Sequence, residues 1–215
     1  MEHAKPLPTY LVHRYHGWKA TTWAENSAWY RRLAAEGQRP RAMVISCCDS
    51  RVHVTSIFGA DQGEFFIHRN IASLVPPHNP DGEHHGTSAA VEYAVTTLKV
   101  AHMIVVGHSY CGGVQGCHDM CTGQAPALEE KTSFVGRWMD ILRPGFERVK
   151  DLPEAERLRA LEKEAVLVSL ENLMTFPWLR TAVEAGEMTL HGLWNDIGEG
   201  GLEQYDPGSG KFVPI

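Results

Sequence analysis

A chain of 215 residues with 43% hydrophobic and 21% charged side chains is long enough for one substantial core and ordinary in composition for a globular protein. A formal net charge of -6 argues against nucleic acid or an anionic membrane surface as partner, and no apolar run reaches the roughly 18 residues that a membrane span needs. The opening segment has no apolar signal core, so an intracellular, cytoplasmic protein is expected, and its five cysteines read as ligands or buried thiols rather than a disulfide framework.

Residues 10–37 carry a helical pattern in which Tyr15, Trp18, Trp23, Trp29 and Tyr30 are interleaved with charges, ending at Gly37 as a C-cap. So aromatic an arm either joins the core or docks on another subunit. Residues 42–46 form a short apolar, partly β-branched run that reads as a buried strand, and 64–70 reads as a second. Residues 76–86 are a loop by their Pro and Gly content, after which Thr87 or Ser88 caps a helix with apolar positions at Ala90, Val91, Ala94, Val95 and Leu98. A strand over 103–106, a turn, and a helix near 113–120 follow. Beyond Gly123 the pattern is helical over 134–149 and 154–174, and Pro177 opens a shorter helix ending near Gly186. Residues 188–195 alternate as a strand, 198–201 turn it, and 202–205 return as a hairpin. Strand, helix, strand at this spacing defines βαβ units. The fold class is therefore α/β: a mainly parallel central β-sheet flanked by helices, with an N-terminal helical arm (1–37) and a C-terminal hairpin extending the sheet. With no repeat or linker, 1–215 is read as a single domain.

Two strands end in chemistry. The first runs into Cys47, Cys48, Asp49, Ser50 and Arg51; the second runs into Gly107, His108, Ser109, Tyr110, Cys111, Gly112 and Gly113. In open α/β sheets, sites lie beyond the carboxyl ends of the strands. Cys47 or Cys48, with His108 and Cys111, offers zinc three ligands and leaves a fourth position for water, the arrangement of a catalytic site. The bland alternative is that the cysteines are ordinary buried thiols. Gly112 and Gly113 allow close backbone approach and present bare N–H groups at a helix start. Asp49 and Arg51, two apart on one side of an extended segment, form either a structural ion pair or a dyad that orients a metal-bound water. Cys117, His118 and Cys121 resemble a second metal cluster, but their spacing fits one packed helix face better. His84 and His85 in a Gly-rich loop read as solvated, with a proton relay as the alternative.

Cys47-Cys48-Asp49-Ser50-Arg51 fits C-x-D-x-R, and His108-Ser109-Tyr110-Cys111 fits H-x-x-C. Together they resemble the β-class carbonic anhydrases. The likeness continues through His68-Arg69-Asn70-Ile71-Ala72, Leu74-Val75-Pro76-Pro77, Gly86 to Ala94 and Gly112-Gly113-Val114, and covers about 37–116. The resemblance implies one Zn2+ per chain on Cys47, His108 and Cys111, with Cys48 at the variable position. Water takes the fourth place, or Asp49 in the closed form of some members. It implies Asp49 and Arg51 as the catalytic dyad, and Gln38, Phe66, Ile71 and Tyr93, with Gly112, as substrate-binding residues. The activity implied is reversible hydration of CO2 to bicarbonate and a proton, by hydroxide attack at a zinc whose water has a pKa near 7, a property of carbonic anhydrases as a class and not one read from this sequence. A homodimer or higher even homo-oligomer is implied too. A regulated subgroup has Trp three residues before the first zinc Cys and Gly just before it; this chain has Val44 and Ser46, which points to the plant-type, non-allosteric subgroup. Two other readings stand beside this one: hydrolysis of a sulfur analogue such as carbonyl sulfide, and a non-catalytic zinc or thiol-redox protein.

Overall fold

A computed structural model describes residues 3–81, 85–130 and 133–215. The chain divides into two compact units, Met1–Gln38 and Arg39–Ile215. The first holds helices α1 (Thr9–Trp18) and α2 (Ser27–Glu36), with a π-helical turn at Lys19–Trp23 between them. Of its aromatics, Tyr10, Tyr15, Trp18 and Trp29 are exposed and Trp23 and Tyr30 half-buried, and the guanidinium of Arg32 sits 4.4 Å from the Trp29 ring centroid.

The second unit is built on one sheet. Its strands are β1 (Ala42–Cys47), β2 (Phe65–Asn70), β3 (His102–His108), β4 (Thr189–Asn195), β5 (Leu202–Asp206) and β6 (Lys211–Pro214), in the order β2-β1-β3-β4-β5-β6. The first four are parallel and the last two antiparallel, so the hairpin does extend the sheet, with β6 as a further strand that sequence patterning did not separate from the tail. Every residue of β1 is buried, as expected of a parallel strand covered on both faces. Met43 and Ile45 pack with Met103, Val105, Val91, Phe176 and Leu179 on one side. Val44 and Val106 pack with Val54 and Leu193 on the other.

The flanking helices are α3 (Val54–Phe58), α4 (Gly86–Glu92), α5 (Gly112–Cys121), α6 (Phe134–Met139), α7 (Arg143–Val149), α8 (Glu154–Leu173) and α9 (Pro177–Glu184). The stretch 134–149, expected as one helix, is two: a 3-10 turn at Asp140–Leu142 separates α6 from α7. Pro144 is the cause, because it has no N–H to give and its ring clashes with the preceding turn unless it opens a helix. Thr87 does not cap α4. His85 precedes the helix, and the Thr87 hydroxyl instead meets His68 Nε2 at 3.0 Å and accepts from Asn70 Nδ2 at 3.3 Å. His84 lies outside the described residues.

Candidate metal centre

β1 and β3 are neighbours in the sheet, and their carboxyl ends bring Cys47 and His108 together. His108 is the last residue of β3 rather than part of the turn. Cys111 is the N-cap residue of α5, reached through Tyr110 in a left-handed conformation (φ 57°). The ligating atoms of Cys47, His108 and Cys111 all lie within 4.8 Å of one another, and all three residues are buried. Among the described residues no other group of three or more His, Cys, Asp or Glu converges in this way. Cys48 is exposed and outside the group.

The donor set fits zinc. The two sulfurs are 4.0 Å apart, and thiolates about 2.3 Å from one tetrahedral ion would be about 3.8 Å apart. His108 Nδ1 donates to the Ser109 carbonyl at 2.8 Å, which fixes the tautomer and leaves Nε2 bare. That Nε2 is buried without a hydrogen-bond partner, an arrangement costly for an imidazole unless a cation takes the lone pair. The Ala72 N–H donates to Cys47 Sγ at 3.3 Å and favours its thiolate. The two thiols, 4.0 Å apart, share a hydrogen bond that favours one thiolate, so Cys47 is drawn down while the Cys111 thiol is pushed up by that bond and by burial.

Asp49 and Arg51 sit in a turn, not in an extended segment, since the Val52 N–H closes onto the Asp49 carbonyl at 3.0 Å. The turn folds the guanidinium back on the carboxylate. Arg51 Nη2 donates to Oδ2 at 2.7 Å and Nε to Oδ1 at 3.0 Å, and the Arg51 backbone N–H reaches Oδ1 at 2.9 Å. This bidentate pairing holds the Asp49 carboxyl well below the usual carboxylate range. Arg51 Nη2 also donates to the Tyr110 carbonyl at 3.0 Å, tying the dyad to the turn that carries Cys111.

Two residues that hold this geometry were not singled out from the sequence. Arg69 of β2 donates to the carbonyls of Cys47, Asp49 and Val52 at 2.8, 2.7 and 2.9 Å, so one guanidinium fixes the whole loop after β1. Glu162 of α8 is buried, and its Oε1 accepts from the Tyr110 N–H at 2.6 Å, holding the left-handed residue in place. Burial raises the Glu162 carboxyl. A helical period did carry a signal for it, since Glu162 stands four residues after Leu158 and three before Ala165, on the apolar face. On the far side of the turn, Ser109 Oγ donates to Asp196 Oδ1 at 3.1 Å, and Arg159 pairs with Asp196 and holds its carboxyl down at about 2.

The expected substrate residues do not all gather here. Ile71 follows β2 directly and lines a largely apolar cavity of about 490 Å³ with Cys48, His68, Phe134, Val135 and Trp138; the ligand side chains and Asp49 are not in its lining. Phe66 and Tyr93 pack on each other, centroids 5.8 Å apart. Phe66 is level with Met43, four positions before Cys47, so it lies roughly 13 Å up the sheet from the metal end. Gln38 closes the first unit. Gly112 opens α5, and a Cβ there would meet nothing within 4 Å, whereas one at Gly113 would come within 2.6 Å of Ile71 Cγ2 and 3.0 Å of Ala72 Cβ. Gly113→Ala is therefore expected to lose about 1–3 kcal/mol in urea unfolding, while Gly112→Ala stays within about 1 kcal/mol of the parent. Cys117 is buried and packs with Cys121 on one face of α5, as the spacing suggested.

A parallel α/β sheet whose strand ends hold a Cys–His–Cys centre beside a carboxylate–guanidinium pair defines a zinc protein built to activate water. The family profile described as "Carbonic anhydrase" matches residues 42–202. The chain is 36% identical over 192 residues to beta carbonic anhydrase 3 of Arabidopsis thaliana, covering 87% of this chain and 72% of that one. It is 36% identical over 204 residues to the same plant's mitochondrial beta carbonic anhydrase 6, covering 94% and 68%. Among solved structures, that of the beta-carbonic anhydrase CcaA superimposes with a TM-score of 0.86 at 28% identity, over 96% of this chain and 91% of that one. One of two tetrameric beta-carbonic anhydrases of Sordaria macrospora gives 0.77 at 29%, over 91% and 95%. The chain belongs to the carbonic anhydrase family, in its β-class. Its metal is zinc and its reaction the hydration of CO2; neither the carbonyl sulfide nor the non-catalytic reading is favoured.

Proposed function

We propose that this chain hydrates CO2 with Asp49 and Arg51 as its catalytic dyad, in a site that stays open and is not controlled by bicarbonate. The observation that carries the reading is the bidentate Arg51–Asp49 pair next to three convergent ligand atoms. Zinc held by Cys47, His108 and Cys111 supplies the Lewis acidity that makes water a nucleophile near neutral pH. Asp49, kept ionised by Arg51, can only accept hydrogen bonds, so it takes one from the attacking water and aims a lone pair at carbon. Arg69 and Glu162 hold the two loops so that this aim does not drift.

With both Asp49 oxygens engaged by Arg51, the carboxylate has little reason to move onto the metal. Val44 and Ser46, both buried, stand at the places where the resemblance gives the regulated subgroup a Trp wall and a Gly, so the two residues that would form the effector pocket are not the ones this chain has. Inhibition of CO2 hydration by bicarbonate at fixed ionic strength is expected to follow simple product competition with a Hill coefficient near one. A coefficient clearly above one would overturn the open-site reading.

The same reading includes a homodimer or higher even homo-oligomer. It is supported by the apolar groups at the cavity mouth, Ile71, Val135 and an 83% exposed Phe134, and by the tetrameric Sordaria macrospora relatives.

A further inference from the structure

β3 carries His108 at one end and His102 at the other, six residues and roughly 20 Å away. His102 is level with Thr189 on β4, and the period of two along a strand puts His191 on the same face as both. The three side chains meet. His102 Nδ1 lies 2.8 Å from Thr189 Oγ1, His191 Nε2 lies 2.8 Å from the same hydroxyl, and the two ring nitrogens are 3.4 Å apart. All three residues are exposed.

We propose that His102 and His191 form a second metal site, a two-imidazole chelate for a late first-row divalent ion such as Zn2+. Two imidazole nitrogens each about 2.05 Å from one tetrahedral ion lie about 3.3 Å apart, so the pair already stands at the chelating distance and no strand has to move. Imidazole is the neutral ligand these ions prefer, and the partners come from adjacent strands of a rigid sheet, so little ordering entropy is lost on binding. The competing reading of the contact is an N–H···N hydrogen bond. At 3.4 Å it is long for one, and the Thr189 hydroxyl already satisfies both nitrogens. The ion takes the place that the Thr189 hydroxyl holds between the two nitrogens, so that side chain turns about χ1 as the site fills while the strands stay put. Open positions and only two protein ligands make this a weaker, exchangeable site than the buried Cys–His–Cys centre.

Calorimetric titration of the fully zinc-loaded protein with Zn2+ tests this. The wild type is expected to take up one equivalent more than His102→Ala and one more than His191→Ala. All three proteins should keep the zinc of the Cys–His–Cys centre and normal CO2 hydration, because the pair lies at the opposite end of the sheet. The imidazole NMR signals of His102 and His191 should shift together as that equivalent binds. No further uptake by the wild type, or uptake that persists undiminished in either variant, overturns the assignment. Because both positions are exposed, a folding defect is not expected; His191→Gln, which keeps polarity but loses the imidazole, should behave as His191→Ala does.

Discussion

Cys47→Ala is expected to contain almost no zinc and to hydrate CO2 no faster than buffer, and His108→Ala and Cys111→Ala should match it. Each substitution removes one of three ligand atoms that converge within 4.8 Å, and two remaining ligands do not hold a dication tightly against water. Cys48→Ser is the control, because Cys48 is exposed and its thiol lies outside the group; it should keep one zinc per chain and full activity. The effect also has a pH signature. In the metal-free centre the two thiols share one hydrogen bond, which favours a thiolate on one sulfur and holds the other thiol up. Zinc needs both sulfurs as thiolates, so binding expels at least one proton near neutral pH. Apparent affinity should therefore rise by about tenfold or more per pH unit and fall on acidification. Full zinc in Cys47→Ala, its loss from Cys48→Ser, or an affinity independent of pH would each contradict this assignment.

The ligand set is legible in the sequence, up to a choice between Cys47 and Cys48 that the resemblance makes, because it lies in two compact motifs, each placed by the end of an apolar strand. Periodicity found β1 and β3 for the same reason, that parallel strands buried on both faces are near-continuous apolar runs, whereas β4 showed itself by alternation. What stayed hidden depended on contacts between residues far apart in the chain. Arg69 stands near the end of the expected second strand, but nothing in its neighbours says that one guanidinium reaches three carbonyls of another strand's loop. The Asp49–Arg51 spacing was read as an extended segment, and only the backbone turn reveals why the pair closes on itself. The Phe66–Tyr93 pair shows the converse limit. The role that the resemblance gives Phe66 is not legible within one chain, since the register of β2 on β1 puts Phe66 beside Met43, toward the other end of the strand from Cys47.

Asp49→Asn should keep the zinc and the fold yet lose CO2 hydration by about 10²-fold or more, the range expected when a group that orients or accepts a proton is removed. The amide is nearly isosteric, and its oxygen can still accept from one nitrogen of Arg51. Its NH2, however, offers donors where the carboxylate offers acceptors, so it can no longer take the hydrogen bond of the attacking water. Arg51→Ala should act on the same step from the other side. It leaves Asp49 charged but without the two side-chain bonds that aim it, and it frees the Tyr110 carbonyl from the dyad. Because the two residues act as a unit, the double variant should lose little more than the worse single one. The pH profile separates this from a structural ion pair. In the wild type the depressed Asp49 carboxyl remains ionised throughout the working range, so its charge is present above the ordinary carboxylate pKa and is lost only as pH falls through its own, lower one. Arg51→Ala returns Asp49 toward the ordinary range, so the residual activity of that variant should begin to fall at a higher pH than the wild type's does. Near-normal turnover in either single variant, with zinc confirmed at one per chain, would reduce the pair to a brace for the loop and place the water-orienting role elsewhere.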